Sequence, residues 1–240
     1  MSGYYDIHCH LIPGVDDGAE DMEEALKLLQ MEYEDGVRIL YLTPHYRRGM
    51  FECPVDKIQR QYEKLKEEAK KIVPDMKLYL GCEYHANMEM LEILQNGMRP
   101  TMGNSRCVLT EFLGGVEQKF LQERCYTLLS NGYTPIIAHA ERYSLIRKNM
   151  DVLEPLIDMG VYVQINAESI LGKEGFFMKQ FCKKAMKKGY LHFVGSDAHD
   201  THTRKPMIGK CAEYLVKTMG KAYRDQIMIE NPKNIIEEGR

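Results

Sequence analysis

Short apolar runs alternate with longer amphipathic stretches along this chain. The runs Tyr4–His8, Arg38–Thr43, Lys77–Gly81, Arg106–Thr110, Pro135–Ala138, Tyr162–Ile165 and His192–Gly195 are brief and bounded by breakers, the pattern of strands. Between them apolar positions recur at helical spacing. Asp21–Glu34 places Met22, Ala25, Leu26, Leu29 and Tyr33 on one face and ends at Gly36. Val55–Ile72 consists largely of strong helix formers and stops at Pro74. Further helices are predicted near 86–95, 118–130, 150–158, 176–187 and 207–219. No low-complexity segment, internal repeat or long Gly/Ser/Pro linker interrupts the rhythm. About seven strand–helix alternations predict an α/β chain of parallel strands, barrel-like or doubly wound, as one domain over 1–240.

The strand ends carry an unusual set of polar residues. The first strand ends in "DIHCH" (His8, His10), the second in "LYLTPH" (His45) and the third in "LYLGCE" (Glu83). The fourth ends in "CVLTE" (Glu111), the fifth in "PIIAH" (His139) and the last in "FVGSDAH" (Asp197, His199). Strand side chains alternate faces, so His8 and His10 share one face while Cys9 takes the other. In a parallel barrel the C-terminal strand ends converge, and that is where active sites form. One polar residue at a strand end is ordinary. Six of seven strand ends carrying His, Glu or Asp point to a shared metal site.

With Asp17 from the first loop, nine side chains are candidates: His8, His10, Asp17, His45, Glu83, Glu111, His139, Asp197 and His199. One transition-metal ion takes roughly four to six ligands, so two or three divalent ions sharing carboxylates fit better. Imidazole and carboxylate without thiolate suit manganese, iron or zinc. Such a cluster can clamp attacking and leaving oxygens and make hydroxide available near neutral pH, which suits phosphate-ester hydrolysis. Phosphate also needs positive charge. Arg142 in "HAERY", just beyond His139, is the leading clamp, because guanidinium binds phosphate in a bidentate way. Arg47, Arg48, Arg204 and Lys205 are further candidates, and for Arg47, Arg48 and Lys205 a solvated surface role is equally open. Asp16 reads as a loop or capping residue, and Asn166 as a pocket-lining one.

Composition narrows the class. The hydrophobic share of 44% and charged share of 28% are those of a folded chain with a substantial core. The net charge of −3, without a basic block, gives no sign of nucleic acid as a partner. No apolar run reaches the roughly 20 residues of a membrane helix, and no signal-peptide layout is present, so a cytoplasmic location is expected. Seven widely spaced cysteines with no C-x-x-C argue against a disulfide scaffold or zinc knuckle; most are expected in the core. The 16 methionines are expected as core filler. The C-x5-R loop of thiol phosphatases, phosphate-binding glycine loops and the G-x-S-x-G elbow are all absent.

With these residues assembled, the chain resembles the polymerase and histidinol phosphatase (PHP) superfamily. Within it the chain is similar to the manganese-dependent protein-tyrosine phosphatases of bacterial capsule and exopolysaccharide loci, the CpsB/CapC/YwqE type. The resemblance runs nearly end to end, on "DIHCHLIPGVDDGAED", "TPHYRRGMFE", "GCEYH", "LTEF", "TPIIAHAERY", "DMGVYVQIN" and "SDAH". It implies a distorted TIM-like (β/α)7 barrel with a trinuclear centre on the nine candidates. It also implies phosphate contacts from Arg142 and Arg204, and a proton-donor role for His199 that competes with metal binding. The implied substrate is the tyrosine-rich tail of a polysaccharide co-polymerase kinase, and the implied assembly is a homo-oligomer.

Three other readings remain. The same metals could serve a small phosphomonoester such as histidinol phosphate, with differences confined to loops 46–54, 114–118 and 200–206. An amidohydrolase-like C–N hydrolase also begins with H-x-H, but typically bridges its metals with a modified lysine where this chain has Glu111. A non-catalytic metal-binding regulator would keep the ligands without turnover.

Overall fold

The computed structural model describes residues 3–237. Its strand segments are β1 (Tyr4–Cys9), β2 (Val37–Leu42), β3 (His45–Tyr46), β4 (Lys77–Leu80), β5 (Glu83–His85), β6 (Cys107–Glu111), β7 (Thr134–Ile137), β8 (Tyr162–Asn166) and β9 (Phe193–Gly195). All neighbours pair in parallel, in the orders β1-β2-β4 and β3-β5-β6-β7-β8-β9. The two sheets are continuous in space, because β2 leads into β3 and β4 into β5 across two-residue breaks. Hydrogen bonds from Gly81 N–H to Leu42 O (2.8 Å) and from Glu83 N–H to Pro44 O (3.1 Å) carry the pairing over those breaks. Seven strands therefore succeed one another in chain order. The end of β9 returns to β1, with Asp197 N–H donating to His8 O (2.7 Å) and His10 N–H to Ala198 O (2.8 Å). The expected (β/α)7 barrel is the observed fold.

The covering helices are α1 (Met22–Glu34), α2 (Val55–Ile72), α3 (Met90–Gln95), α4 (Gln118–Ser130), α5 (Ser144–Lys148), α6 (Glu154–Asp158), α7 (Ala167–Leu171), α8 (Phe176–Lys188), α9 (Ile208–Met219) and α10 (Lys221–Asp225). α1 starts where its Asp21 side chain accepts the Glu24 N–H at 2.9 Å, an N-cap that satisfies an otherwise unpaired donor. One apolar cluster joins Tyr5, Ile7, Tyr41, Leu109, Ile136 and Phe193 from the strands, and Ile236 of the C-terminal segment packs into it. A larger cluster lies between strands and helices, and there Cys9 and Cys82 sit.

Several expectations need correction. The second and third predicted strands each lead into an extra short pairing segment, β3 and β5. The helix expected over 86–95 begins only at Met90. That over 150–158 is a 3₁₀ turn, Met150–Leu153, passing into α6; Pro155 in its first turn lacks an N–H. α5, α7 and α10 went unpredicted. The buried face of α1 is Ala25, Leu28, Leu29 and Glu32, while Met22, Leu26 and Tyr33 are only partly buried. Burial and the neighbouring Asp6 carboxylate push the Glu32 carboxyl well up. Met50, Met88, Met98 and Met159 are exposed rather than core filler. The cysteines are all free, and all but Cys53 are buried, as expected.

Candidate metal centre

The centre is assembled from strand ends, and backbone irregularities aim it. Tyr5 and Ile7 of β1 belong to the strand-lined cluster. Strict alternation would then send His8 outward. Instead the register shifts between Asp6 and Cys9, so His8 faces the mouth as well, and so does His10. The buried Asp6 carboxylate holds this irregularity. It accepts the N–H of His8 (3.2 Å), the N–H of Ser196 (2.9 Å) and the Ser196 hydroxyl (2.6 Å). One carboxylate thereby ties β1 to the residue preceding Asp197. His139 (φ 31°) and Asp197 (φ 53°) adopt left-handed backbone, a strain of about 1–3 kcal/mol each that their surroundings must impose. Gly18 is needed for a different reason: a Cβ there would lie 2.0 Å from His10 O.

All nine predicted residues meet. Ligand atoms within 4.8 Å of one another form the overlapping groups His10–Asp17–His45–His199, His8–His10–Asp197, His8–Glu83–His139 and His45–Glu83–Glu111. Glu83 is the hub. Its Oε2 lies 3.1 Å from His8 Nε2, 3.3 Å from His10 Nε2 and 3.0 Å from His45 Nδ1, and its Oε1 lies 2.8 Å from His139 Nε2. Asp17 Oδ1 is 3.5 Å from His45 Nε2 and 3.6 Å from His199 Nε2. Glu111, 4.0 Å from His139 Nε2, forms the outer edge.

Surrounding residues fix which imidazole nitrogen faces inward. Gln164 gives its Nε2–H to Asn166 Oδ1 (2.7 Å), which leaves Oε1 to accept from His8 Nδ1 (3.2 Å) and from the His139 N–H (2.7 Å). Asp16 accepts from His10 Nδ1 (2.9 Å), and the Asp197 carbonyl accepts from His199 Nδ1 (2.9 Å). The Nε2 atoms of His8, His10 and His199 are then left to present lone pairs, an assignment dictated by the bonding network. Asp16, read from the sequence as a loop residue, is thus the group that orients His10.

The donor set fits a cation. Glu83 Oε2 and His199 Nε2 are buried and make no hydrogen bond of acceptable geometry, although nitrogens and carboxylates crowd around them. Converging acceptors with too few hydrogens between them are what a cation resolves. Protons do the same work in its place. Burial would lower His8, but Glu83 and Asp197 outweigh it and push it up to about 9. Burial would likewise lower His45, and Glu83 above all pushes it up to about 10. Burial would raise Glu83, yet His8 and His45 hold it well below the usual carboxylate range. His199 goes the other way: burial and His10 push it down to about 4, so it is neutral at neutral pH. Cys9 and Cys82 lie away in the outer core, so the donors are nitrogen and oxygen only.

The predicted phosphate contacts lie on one rim. Arg142 Nη1 donates to Asp197 Oδ2 (2.7 Å) and its Nη2 to Glu168 Oε1 (3.2 Å), while Arg204 Nη2 donates to Asp197 Oδ1 (3.0 Å). Arg142 and Arg204 side chains remain 31% and 34% exposed, open to a ligand in the mouth. Arg48 instead pairs with Glu89 on the surface, and Lys205 is exposed. Asn166, expected to line the pocket, donates to Asp197 Oδ2 (2.9 Å). Sequence reasoning missed Asp6, Gln164 and Tyr143, whose buried hydroxyl accepts the Phe112 N–H (2.9 Å) and lies 3.4 Å from His139 Nδ1. Gln164 carried a readable signal, its period-two spacing with Asn166 in "VQIN".

Among the described residues no helix is long and apolar enough to cross a membrane. Comparison with known proteins agrees with the geometry. Residues 4–237 match the family described as "Capsular polysaccharide synthesis, CpsB/CapC". The tyrosine-protein phosphatase CpsB of Streptococcus agalactiae serotype V is 35% identical over 237 residues, covering 97% of this chain and 98% of the relative. A crystal structure described with YwqE from Bacillus subtilis and CpsB from Streptococcus pneumoniae as "unique metal-dependent tyrosine phosphatases" superposes with a TM-score of 0.91 at 26% identity. It covers 98% of this chain and 95% of that one. A zinc-bound histidinol phosphate phosphatase from Lactococcus lactis shares the fold, with a TM-score of 0.58 at 17% identity over 91% of this chain and 94% of that one. The chain belongs to the CpsB/CapC family of the capsular polysaccharide synthesis proteins.

Proposed function

We propose that this chain is a metal-dependent tyrosine phosphatase whose nine-residue cluster holds two to three divalent ions, manganese first, with iron and zinc as alternatives. The observation that carries the reading is the convergence of lone pairs around Glu83 beside two rim arginines. The relatives' names support tyrosine phosphatase activity, and the matching structure's description supports the metal dependence.

Cations held by His8, His10, Asp17, His45, Glu83, Glu111, His139, Asp197 and His199 would supply Lewis acidity toward the phosphoryl oxygens and hydroxide near neutral pH. Arg142 and Arg204 would turn from Asp197 toward the phosphoryl oxygens and stabilise their charge in the transition state. His199, neutral and with Nδ1–H committed to a carbonyl, serves better as a ligand than as a proton donor. A tyrosine phenolate, with a pKa near 10, is a moderate leaving group and depends less on a general acid than an alkoxide does. Asp6, Asp16 and Gln164 keep the ligands aimed.

The proposed substrate is the phosphotyrosine-bearing tail of a bacterial tyrosine autokinase that governs capsule or exopolysaccharide synthesis, supported by the family's description. A cytoplasmic site of action belongs to the same proposal, as does a homo-oligomer, for which the exposed Phe176 and Phe177 at the start of α8 offer apolar surface. The test compares a phosphotyrosine peptide with histidinol phosphate, using chelator-stripped protein with manganese restored. Manganese-dependent release from the peptide supports the reading. Turnover of histidinol phosphate alone moves the function to small phosphomonoesters, and turnover of neither leaves a metal-binding regulator.

A further inference from the structure

We infer that an apolar hollow beside the metal cluster receives a large apolar side chain of the substrate protein, two residues away from the phosphotyrosine. The inference rests on the phosphatase reading and specifies how that site selects its substrate.

The hollow has a volume of about 600 Å³ and is lined chiefly by Ala86, Met88, Leu113, Val116 and Phe120. It begins where the cluster ends. Ala86 lies three residues past Glu83, Leu113 two past Glu111, and Ala86 N–H donates to Glu111 O at 2.8 Å. Consecutive Cα atoms are about 3.8 Å apart, so the Leu113 Cα lies within about 7.6 Å of the Glu111 Cα. In an extended peptide, side chains two residues apart stand on the same side, about 6.6 Å from one another. A phosphotyrosine lowered into the cluster therefore brings the side chain two positions away over the hollow.

The chemistry of the lining selects what fits. Met88 is 71% and Leu113 55% exposed, an apolar surface left uncovered in the monomer. Asn87, Gly115 and Glu117 complete the lining, so an acidic side chain there would lose its hydration and meet a like charge. A Leu- or Phe-sized group would bury apolar area on both sides. A second copy of the chain is a poorer occupant, since a stable interface needs roughly 20–30 residues a side and the hollow offers a handful.

The test measures kcat/KM on phosphotyrosine peptides carrying Leu or Gly two positions before or after the phosphotyrosine, with free phosphotyrosine alongside. The variants are Leu113→Asp and Met88→Asp, both at exposed positions, with solution mass measured for each. The expected result is a roughly tenfold or greater preference for Leu over Gly on one side of the phosphotyrosine. Both variants abolish that preference and leave free phosphotyrosine hydrolysis unchanged. Wild-type turnover without preference overturns this inference and leaves the phosphatase reading standing. Equal loss on free phosphotyrosine overturns it by assigning the hollow to the reacting ring, and a change of solution mass by assigning it to a second copy. Hydrolysis of neither peptide nor free phosphotyrosine defeats the phosphatase reading, and this inference with it.

Discussion

His8 and His10 bring their Nε2 atoms to 3.2 Å of each other, while Gln164 and Asp16 engage the opposite nitrogen of each ring. Two acceptor lone pairs pressed together in a buried site repel unless a positive charge sits between or beside them. Glu83, 3.1 and 3.3 Å from the same two atoms, shares that need. The strands supply the positions, but the surrounding carboxamide and carboxylate decide which nitrogens point inward.

Proton and metal should therefore compete. With pKa values raised to about 9 for His8 and about 10 for His45, both hold protons more tightly folded than unfolded, where about 6.5 applies. Their contribution to the stability of metal-stripped protein is fully present below about pH 6.5 and disappears as pH rises through those folded values. Denaturant titrations of chelator-treated protein between pH 6 and 10 should show this decline. Manganese affinity should rise over the same window, because binding must displace the protons. Affinity that is flat across the window would contradict the account.

Gln164→Leu removes the acceptor that fixes the His8 ring and keeps similar bulk. Loss of such an outer partner costs about 10–100-fold in metal affinity. Calorimetric titration with manganese should show that drop while circular dichroism stays native.

Arg142→Lys retains a charge but loses the planar fork. A loss of about 10²–10³ in kcat on a phosphotyrosine peptide is expected, the size associated with one transition-state donor. Metal content, measured by elemental analysis, should be unchanged. Loss of metal instead would place Arg142 among the groups that hold Asp197, not among those that meet phosphate.

Gly18→Ala forces a Cβ to within 2.0 Å of His10 O, a backbone atom that cannot swing aside. Overpacking of this kind costs about 1–3 kcal/mol. Thermal denaturation should show the loss, and metal affinity should fall with it, since His10 must move.

Much of the fold and the site was legible in the sequence, because strand ends are marked by abrupt changes from apolar to polar residues. His45, Glu83, Glu111 and His139 each stand just beyond such a run, and parallel topology brings equivalent ends together. Asp6 was not legible. Its role depends on β9 lying against β1, so that Ser196 meets a carboxylate 190 residues earlier in the chain. Glu32 was not legible because it is buried beside Asp6, which belongs to another element, and helical periodicity alone reads a glutamate as solvent-facing. The anchoring of Arg142 and Arg204 on Asp197 was equally hidden. Motif position placed Arg142 near phosphate and proximity placed Arg204 there, whereas the geometry shows both held by the same carboxylate.

The central claim, that the clustered strand ends form a multinuclear centre that drives hydrolysis, is tested most directly by titrating manganese into concentrated, chelator-stripped protein while monitoring phosphate release from a phosphotyrosine peptide. Activity should climb to a break at two to three equivalents, and His139→Ala should remain inactive at every ratio. A break at one equivalent, or full activity in the stripped protein, would contradict it.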